Sequence, residues 1–414
     1  MDEPFDLLLR AVKLPDGRPA DVGIRHGTIA RIGVLGEHRA HIVVDCGGGV
    51  LTPGLVDAHI HLDKALLSER APSLEGTVAE ALRVSAAAKK SFTVDDIRSR
   101  ARRVLDAAVR AGTTAMRSHV EIDPIVELKG LEALLDLRRE YAPAIDLQLC
   151  AFAQEGILQS PGTEALLARA LEGGADLIGG CPYNDTDARA QIDIVFKLAR
   201  EYDVDVDFHI DFFDEPDHLD ILYVAEQTVR FGWQGRVAAG HASELAALEP
   251  EDFDRVAAVL RHAGIGVIIL PATDLYLMGR KDSRNPRRGL APARKLLASG
   301  ITVAAATNNV LNAFTPTGTA DLALMGYLVT AAAHMGADRD VADVFAMLTE
   351  HPARLLRLPD YGLRVGARAD LVLWETERPS EVVTTMAPRR LVVKAGRLSV
   401  RHERTCTELW RTAG

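Results

Sequence analysis

The stretch LVDAHIHLD, residues 55–63, joins a short apolar run to two histidines placed two positions apart. Side chains of an extended strand alternate between its two faces, so His59 and His61 point to the same side. Two imidazoles on one side suit a divalent transition metal such as zinc or iron. The stretch therefore predicts a strand that carries two metal ligands at its end.

Seven more apolar runs follow this one, and amphipathic stretches with helical spacing separate them. A strand-then-helix unit repeated eight times in about 290 residues predicts an α/β fold, a (β/α)8 TIM barrel spanning residues 55–354. A doubly wound open sheet is the alternative, but no GxGxxG motif opens a helix after the first strand. The seven further runs are residues 113–123, 146–155, 177–182, 204–211, 236–243, 266–273 and 301–309.

Both ends of the chain have a different pattern, with short β-rich pieces separated by turn residues. In residues 5–50 the alternation and the turn signals indicate meandering antiparallel strands, and the last sixty residues are similar. We predict that residues 1–54 and 355–414 together form one small β-sandwich domain beside the barrel.

Composition excludes several classes of protein. The chain has 414 residues and a net charge of −10, which disfavours nucleic-acid binding. It has no apolar run of about 18 residues and no basic N-terminal region, so neither membrane association nor a signal peptide is expected. The chain has four cysteines without CxxC spacing, typical of reduced thiols and a cytoplasmic location. These are Cys46, Cys150, Cys181 and Cys406.

Polar residues gather at the carboxyl ends of the predicted barrel strands, where this fold places its active sites. We expect them to surround one site. The alternating aspartates 203, 205 and 207 are instead interpreted as a solvated strand entry. The polar residues at the strand ends are His59, His61, His119, Gln154, His209, Asp211, His241, Asn308 and Asn309.

Several motifs resemble those of the amidohydrolase superfamily. TPGLVDAHIHLDK (52–64) is similar to its first-strand motif, and GARADLVLWE (366–375) is similar to the stretch that re-enters its β-sandwich. Further motifs resemble the bacterial cytosine deaminase and N-isopropylammelide amidohydrolase-like group. They are SHVEID (118–123), AFAQEGI (151–157), GHASE (240–244), LPATDLYLMGRKDSRNPRRG (270–289), ASGITV (298–303) and PTGTADL (316–322).

This resemblance implies roles for individual residues. His59, His61 and His209 match the three metal-binding histidines of the group. His241 matches the histidine beside the reacting carbon, and Gln154 matches the glutamine that holds the amide-like edge of a pyrimidine. Phe314 falls where the group has an aromatic wall over the substrate.

Two positions depart from the group's pattern. Phe212 stands where the group has a proton-shuttling glutamate, and Asn308 stands where it has a metal-binding aspartate. A phenyl ring cannot carry a proton, and a neutral amide neutralises a divalent cation less well than a carboxylate. The resemblance therefore predicts an atypical metal site and an atypical acid–base set, with either one divalent metal (zinc or iron) or none.

We predict an enzyme that acts on a C–N bond of a small nitrogen heterocycle or amide. The alternatives are a metal-independent barrel that catalyses a lyase, cyclase or isomerase step, and a non-catalytic binding protein. The expected partners are a small-molecule substrate and further copies of the chain in a homo-oligomer. The predicted catalytic residues are His241 and Asp211, the predicted substrate-binding residues are Gln154, His119, Phe314, Asn309, Phe212 and Arg280, and the predicted metal ligands are His59, His61, His209 and, weakly, Asn308.

Overall fold

The computed structural model describes residues 3–36 and 38–403, and it shows one barrel flanked by two small sheets. The strands are β1 (Phe5–Lys13), β2 (Pro19–Arg25), β3 (Thr28–Gly33), β4 (Ala40–Asp45), β5 (Leu51–Pro53), β6 (Leu55–Ile60), β7 (Thr113–Glu121), β8 (Asp146–Ala153), β9 (Leu177–Gly180), β10 (Asp205–Ile210), β11 (Val237–His241), β12 (Gly266–Ile269), β13 (Val303–Ala305), β14 (Leu371–Trp374), β15 (Arg389–Lys394) and β16 (Arg397–Arg401). The helices are α1 (Val78–Ala88), α2 (Val94–Arg110), α3 (Lys129–Tyr141), α4 (Thr163–Glu172), α5 (Ala188–Tyr202), α6 (Asp220–Phe231), α7 (Pro250–Ala263), α8 (Pro271–Leu277), α9 (Ala293–Ala298), α10 (Leu322–Ala332), α11 (Asp338–Ala346), α12 (Glu350–Leu355) and α13 (Glu381–Thr384).

Local sequence explains where several helices begin and end. Thr77, Thr93 and Asp187 cap the first turns of α1, α2 and α5, each accepting a hydrogen bond from a backbone N–H inside the helix. Gly232 and Gly264 end α6 and α7 in the left-handed region, with φ of 72° and 62°. These signals set the lengths of the helices that cover the barrel.

The eight central strands pair in sequence order from β6 to β13, and every pair is parallel. The ring closes where the residues after β13 meet the end of β6. There Asn308 N–H donates to the His59 carbonyl at 2.8 Å, and His61 N–H donates to the Asn308 carbonyl at 2.8 Å. The predicted (β/α)8 barrel is confirmed, and its carboxyl ends form one rim.

Both chain ends contribute to the two smaller sheets, whose strand orders are β3-β2-β1-β4 and β16-β15-β14-β5. Buried aliphatic side chains such as Leu9, Ile24 and Leu371 pack together in one core of this region. The expected antiparallel meander is correct for β1 to β3 but wrong for β4, which pairs with β1 in parallel. The chain crosses from β3 to the far side of β1 before β4 begins, so β4 runs in the same direction as β3 and β1.

Three further expectations bear on the fold. The domain boundaries at 54/55 and 354/355 stay predictions, and residues 404–414 lie outside the described residues. Cys46, Cys150 and Cys181 are buried free thiols, whereas Cys406 also lies outside the described residues. Within residues 3–36 and 38–403, no helix combines the length and apolar character that crossing a bilayer requires.

Candidate metal centre and active site

Three imidazoles meet inside the barrel near its carboxyl rim. His59 and His61 extend from the end of β6, and His209 extends from β10 across the barrel. The Nε2 atom of His209 lies 3.0 Å from Nε2 of His59 and 2.9 Å from Nε2 of His61. All three rings are buried. We call these three residues the imidazole cluster.

The imidazole cluster is electrically neutral, and among the described residues its three Nδ1 atoms have no hydrogen-bond partner. Burial is the main cause that holds the pKa of each of these histidines well below its usual range, and the neighbouring imidazoles, with Lys64 beside His61 and Arg117 beside His59, add to it. Neutral imidazoles offer lone pairs, which is the state in which they bind metals. Nitrogens bonded to a tetrahedral zinc at about 2.0–2.1 Å lie about 3.3 Å apart, so spacings of 2.9 and 3.0 Å require little adjustment.

Asn308 provides a candidate fourth ligand. Its backbone is fixed in the left-handed region, with φ of 62°, by the hydrogen bonds that close the barrel onto His59 and His61. Its side-chain Oδ1 is buried and, among the described residues, has no hydrogen-bond donor. A buried carbonyl oxygen without a donor is costly, and a cation is one partner that removes this cost. The donor set of three imidazoles and one oxygen therefore fits a divalent transition metal.

A second layer of polar residues supports the imidazole cluster from below. The ring of His119 packs against that of His59 in a tilted arrangement with centroids 3.9 Å apart, and its Nε2 lies 3.4 Å from Oδ1 of Asp207. Asp207 also accepts a hydrogen bond from Arg117 at 2.8 Å. His119 and Arg117 hold the pKa of Asp207 below its usual range, against the effect of burial.

The interpretation of the acidic run before His209 is thus correct only in part. Asp203 is exposed and pairs with Arg236, whereas Asp207 is fully buried under the imidazole cluster. The alternation of a strand puts Asp207 on the same side as His209, so the signal was present in the sequence.

His241, at the end of β11, forms a hydrogen-bonded pair with an aspartate. Its Nδ1 lies 2.7 Å from Oδ1 of Asp274 at the start of α8. The other oxygen of Asp274 accepts the backbone N–H of Leu270 at 3.1 Å. Burial raises the pKa of Asp274, and the hydrogen bond from His241 opposes that rise. The arrangement fixes one tautomer of His241, with Nε2 free to exchange a proton.

Phe212 lies directly against this pair. Its ring is buried, and its centroid lies 3.8 Å from that of His241. His241 itself adopts a φ of 71°, a strained conformation for a residue with a side chain. The structure thus brings the predicted residue Phe212 to the site, as an apolar wall.

Gln154 lies in the site together with Lys64, a residue that the sequence analysis missed. The ammonium of Lys64 donates to Gln154 Oε1 at 3.0 Å and to Glu121 Oε1 at 2.8 Å. It also lies 4.6 Å from the ring centroid of Phe314. A lysine just after a strand is usually solvent-exposed, so its position in the sequence did not indicate a buried site residue. Gln154 Nε2 faces the thiol of Cys181 at 3.5 Å.

Three carboxylates next to Lys64 surround another buried lysine. The ammonium of Lys89 lies 2.6 Å from Glu121, 2.8 Å from Asp123 and 2.8 Å from Glu155. These carboxylates are close enough together to hold a metal ion, but the Lys89 ammonium already contacts all three, and Lys64 adds a second positive charge at Glu121. We therefore treat this group as an ion-pair network that positions Lys64.

Asp211, predicted to be catalytic, makes different contacts. Its two oxygens accept hydrogen bonds from the backbone N–H groups of Asp220 at 2.9 Å and Ile221 at 3.2 Å. The carboxyl group therefore anchors the start of α6. Its catalytic role stays a prediction, and its contacts in the structure are those of a positioning residue.

Arg280 and Asn309, both predicted to bind substrate, also differ in position. Arg280 is exposed, and its guanidinium donates to the carbonyl of Tyr276 and stacks on the Tyr276 ring at 4.6 Å. Asn309 is buried, and its Oδ1 accepts from Asn312 Nδ2 at 2.7 Å. Asn309 therefore belongs to the interior site, whereas Arg280 lies on the outer surface of the barrel mouth.

An apolar cluster covers the barrel mouth above these groups. Phe212 and Phe314 pack there with Leu277 and Met278, and α1 contributes Ala81. This cover explains why the histidines below are buried, and it separates them from bulk water. Electrostatic interactions inside such a site are stronger than in water.

These features define a (β/α)8 barrel with a buried histidine cluster at the carboxyl ends of its strands. Comparison with known proteins identifies it further. The model of the amidohydrolase family matches residues 42–400, so the chain belongs to that family, as predicted.

Individual relatives agree with this assignment. The N-isopropylammelide isopropyl amidohydrolase of Pseudomonas sp. (strain ADP) is 31% identical over 415 residues, covering 97% of this chain and 99% of that protein. The pterin deaminase of Rhizobium rhizogenes is 28% identical over 383 residues, covering 92% of this chain and 87% of that protein. The structure of 5-methylcytosine deaminase from Klebsiella pneumoniae with 5-fluorocytosine superposes with a TM-score of 0.92 at 28% identity, covering 97% of this chain and 99% of that one.

Proposed function

We propose that this chain hydrolyses a C–N bond of a small nitrogen heterocycle or amide and uses one divalent metal, zinc or iron. The observation that carries this proposal is the imidazole cluster, in which Nε2 of His209 lies 3.0 Å from Nε2 of His59 and 2.9 Å from Nε2 of His61. The printed names of the relatives support it, because they describe an ammelide amidohydrolase, a pterin deaminase and a 5-methylcytosine deaminase.

His59, His61 and His209 would hold the metal, with Asn308 Oδ1 as a neutral fourth donor. A divalent metal at such a site acts as a Lewis acid and makes water a competent nucleophile near neutral pH. The amide at position 308 carries no charge, so we expect weaker metal binding than a carboxylate at the same position would give.

His241 is the group that moves protons in this proposal. Asp274 holds its Nδ1–H, which leaves Nε2 to take a proton from the nucleophile and to pass it to the departing nitrogen. Asp274 also stabilises the imidazolium that forms in between. Phe212 keeps water away from this pair but exchanges no proton, so His241 carries this work without a neighbouring glutamate.

Gln154, Lys64 and Phe314 would position the substrate. The Gln154 amide can both donate to and accept from the edge of a heterocycle, and Lys64 supplies a positive donor for a carbonyl oxygen. The ring of Phe314 gives a flat apolar surface suited to a planar ligand. This set favours flat heterocycles with carbonyl and amino substituents, and the proposal names no single substrate.

The test is to assay the full chain for release of ammonia or amine from such compounds. Zinc-loaded and chelator-treated protein are compared on cytosine, 5-methylcytosine, a pterin and alkylamino-triazinones. We expect release by the zinc-loaded chain on at least one compound, and a loss of about 10² or more with His241→Gln. Asp254→Asn, an exposed change on α7, is the control. Release at the buffer rate for every compound would contradict the proposal.

A second candidate function rests on one observation, the contact between Phe212 and His241 at 3.8 Å. An apolar ring at this place favours a metal-independent lyase, cyclase or isomerase step in which His241 acts as acid and base. Protein that turns over a substrate equally well after chelation would favour this candidate over hydrolysis. A non-catalytic binding protein would bind heterocycles without any turnover.

A further inference from the structure

A cavity lies at the barrel mouth beside the imidazole cluster. It has a volume of about 780 Å³ and is bounded by the start of α1, the loop after β10 and the residues after α8. Asp211, Glu244 and Arg280 line it, and none of the histidines of the imidazole cluster does. We call it the acidic pocket.

Carboxyl groups outnumber cations around the acidic pocket. Asp217, Asp220 and Glu244 line it together with other acids, whereas its arginine and lysine residues are Arg280 and Lys281. Some of the other acids already have partners. Asp214 accepts the backbone N–H of Gly279, and Glu215 pairs with Arg287.

Glu244 is the carboxyl group without a full set of partners. Its side chain is only 3% exposed, and its Oε2, among the residues that the structure describes, meets no hydrogen-bond donor. A buried carboxylate oxygen without a donor is expensive, and a ligand with N–H groups or positive charge would satisfy it. Because Glu244 lines the acidic pocket, that ligand would bind there.

The rest of the wall indicates what kind of cation fits. Tyr183 and Phe213 form an edge-to-face aromatic pair with centroids 5.4 Å apart, and both line the pocket. Leu277 and Met278 add aliphatic surface. Aromatic rings beside a carboxylate recognise organic ammonium groups through their negative faces. A bare metal ion would need several free oxygens, and both oxygens of Asp211 already bind the start of α6.

We propose that the acidic pocket binds an organic ammonium group with an apolar body, and that this group is a protonated amine arm of the substrate. Phe212 lies between the two sites, since its ring contacts His241 at 3.8 Å and lies 6.1 Å from Tyr183 at the pocket wall. The assignment of the arm to the substrate rests on the proposed function, whereas ammonium binding itself does not. The substrate class is a flat nitrogen heterocycle that bears an aminoalkyl chain.

Ammonium binding is tested at about pH 9, where the Glu244 side chain is largely ionised and an alkylamine is still protonated, by calorimetric titration of the full chain with n-butylammonium chloride. The chain is first treated with chelator, so that the amine has no metal to coordinate. Butan-1-ol, which has the same chain without the charge, is the control ligand. We expect saturable binding of the ammonium, at least about tenfold weaker binding of the alcohol, and an affinity loss of about tenfold or more with Glu244→Gln.

Two further variants make the outcome unambiguous. Phe213→Ala changes a residue that is 46% exposed, so the fold is retained, and it should also weaken binding. Glu249→Gln removes an exposed carboxylate outside the pocket and should leave binding unchanged. No saturable binding, equal binding of the alcohol, or full affinity in both pocket variants would overturn the proposal. Ammonium binding by a chain without hydrolytic activity would instead contradict the proposed function and leave the cation site intact.

Discussion

The rings of Phe212 and His241 face each other with centroids 3.8 Å apart, and the proposed chemistry depends on this contact. The imidazole keeps its aspartate partner, so it can still exchange a proton. The phenyl ring cannot exchange a proton. Proton transfer therefore depends on His241 alone, whereas the motif of the related group also has a glutamate. The rate of reaction should therefore be unusually sensitive to the pair of His241 and Asp274.

Asp274→Asn tests that dependence. The amide favours the wrong tautomer of His241 and does not stabilise its protonated form, so we expect kcat to fall by about 10²-fold or more. Metal content should not change, because Asp274 is not among the ligands. Steady-state kinetics and metal analysis of the variant check both points. Asp254→Asn should match the parent chain, and an unchanged kcat in Asp274→Asn would contradict the role of the pair.

The double change Phe212→Glu with Asn308→Asp tests the two departures from the group's motif. It adds one carboxylate beside His241 and another at the metal ligand position. We expect tighter metal retention, through the added charge, and a rate increase of about 10²-fold or more on a cytosine-type substrate. Competition with a chelator and ammonia release measure the two effects. A variant that folds but shows neither gain would mean that the site has diverged beyond these two positions.

Single residues were predictable where a strand pattern fixed their direction. The spacing of His59 and His61 indicated one shared side, and the structure places their Nε2 atoms around that of His209. Lys64 was missed because only the tertiary contacts with Gln154 and Glu121 keep its ammonium buried. Asp207 was misinterpreted because its neighbours Asp203 and Asp205 are at the barrel surface.

At the scale of elements, the start of α6 is anchored by a buried acid pair. Asp211 accepts hydrogen bonds from two backbone N–H groups of this helix. Glu244 lies close to Asp211, so a negative charge on both side chains at once is unfavourable. Burial, followed by the neighbouring charge of Asp211, raises the pKa of Glu244 to about 8. The loop after β10 is thereby tied to the residues after β11.

This pKa predicts a specific dependence of stability on pH. The folded chain holds the Glu244 proton up to about pH 8, whereas the unfolded chain releases it near the ordinary value of about 4.3. The stabilisation is therefore complete below the unfolded pKa and is lost as pH rises towards 8. Glu244→Gln should lose less unfolding free energy than the parent between about pH 5.5 and about pH 8.5.

Urea denaturation at the two pH values measures this difference, with Glu249→Gln as the control. Identical pH slopes in the parent chain and Glu244→Gln would show that Glu244 is ionised throughout. This effect was not predictable from the sequence, because Asp211 and Glu244 are far apart along the chain and meet only through the pairing of β10 with β11.

At the scale of the whole molecule, the barrel is closed by the same residues that carry the site. The hydrogen bonds between Asn308 and the strand of His59 and His61 join the last barrel strand region to the first. The eight apolar runs were sufficient to predict this barrel, because the parallel strands are buried on both faces and have few polar interruptions. The parallel pairing of β4 was not predictable from local alternation. The homo-oligomer stays a prediction.

Because the proposed ligands come from opposite sides of the barrel, metal binding should stabilise the entire fold. Zinc at about 100 times its Kd should add about 2.7 kcal/mol and raise Tm by about 3 °C for a chain of this length. Differential scanning fluorimetry with and without zinc measures this shift. The shift should vanish in His61→Ala, and a shift of equal size in that variant would place the zinc elsewhere.

The metal content of the purified chain shows whether the imidazole cluster is a metal centre. Inductively coupled plasma mass spectrometry is applied to the full chain as purified and after reconstitution with zinc or iron, with His61→Ala as the matched variant. The imidazole cluster predicts close to one equivalent of zinc or iron per chain in the parent and a large loss in the variant. Parent protein that holds neither metal, even after reconstitution, would contradict the assignment of the imidazole cluster as the metal centre of a C–N hydrolase.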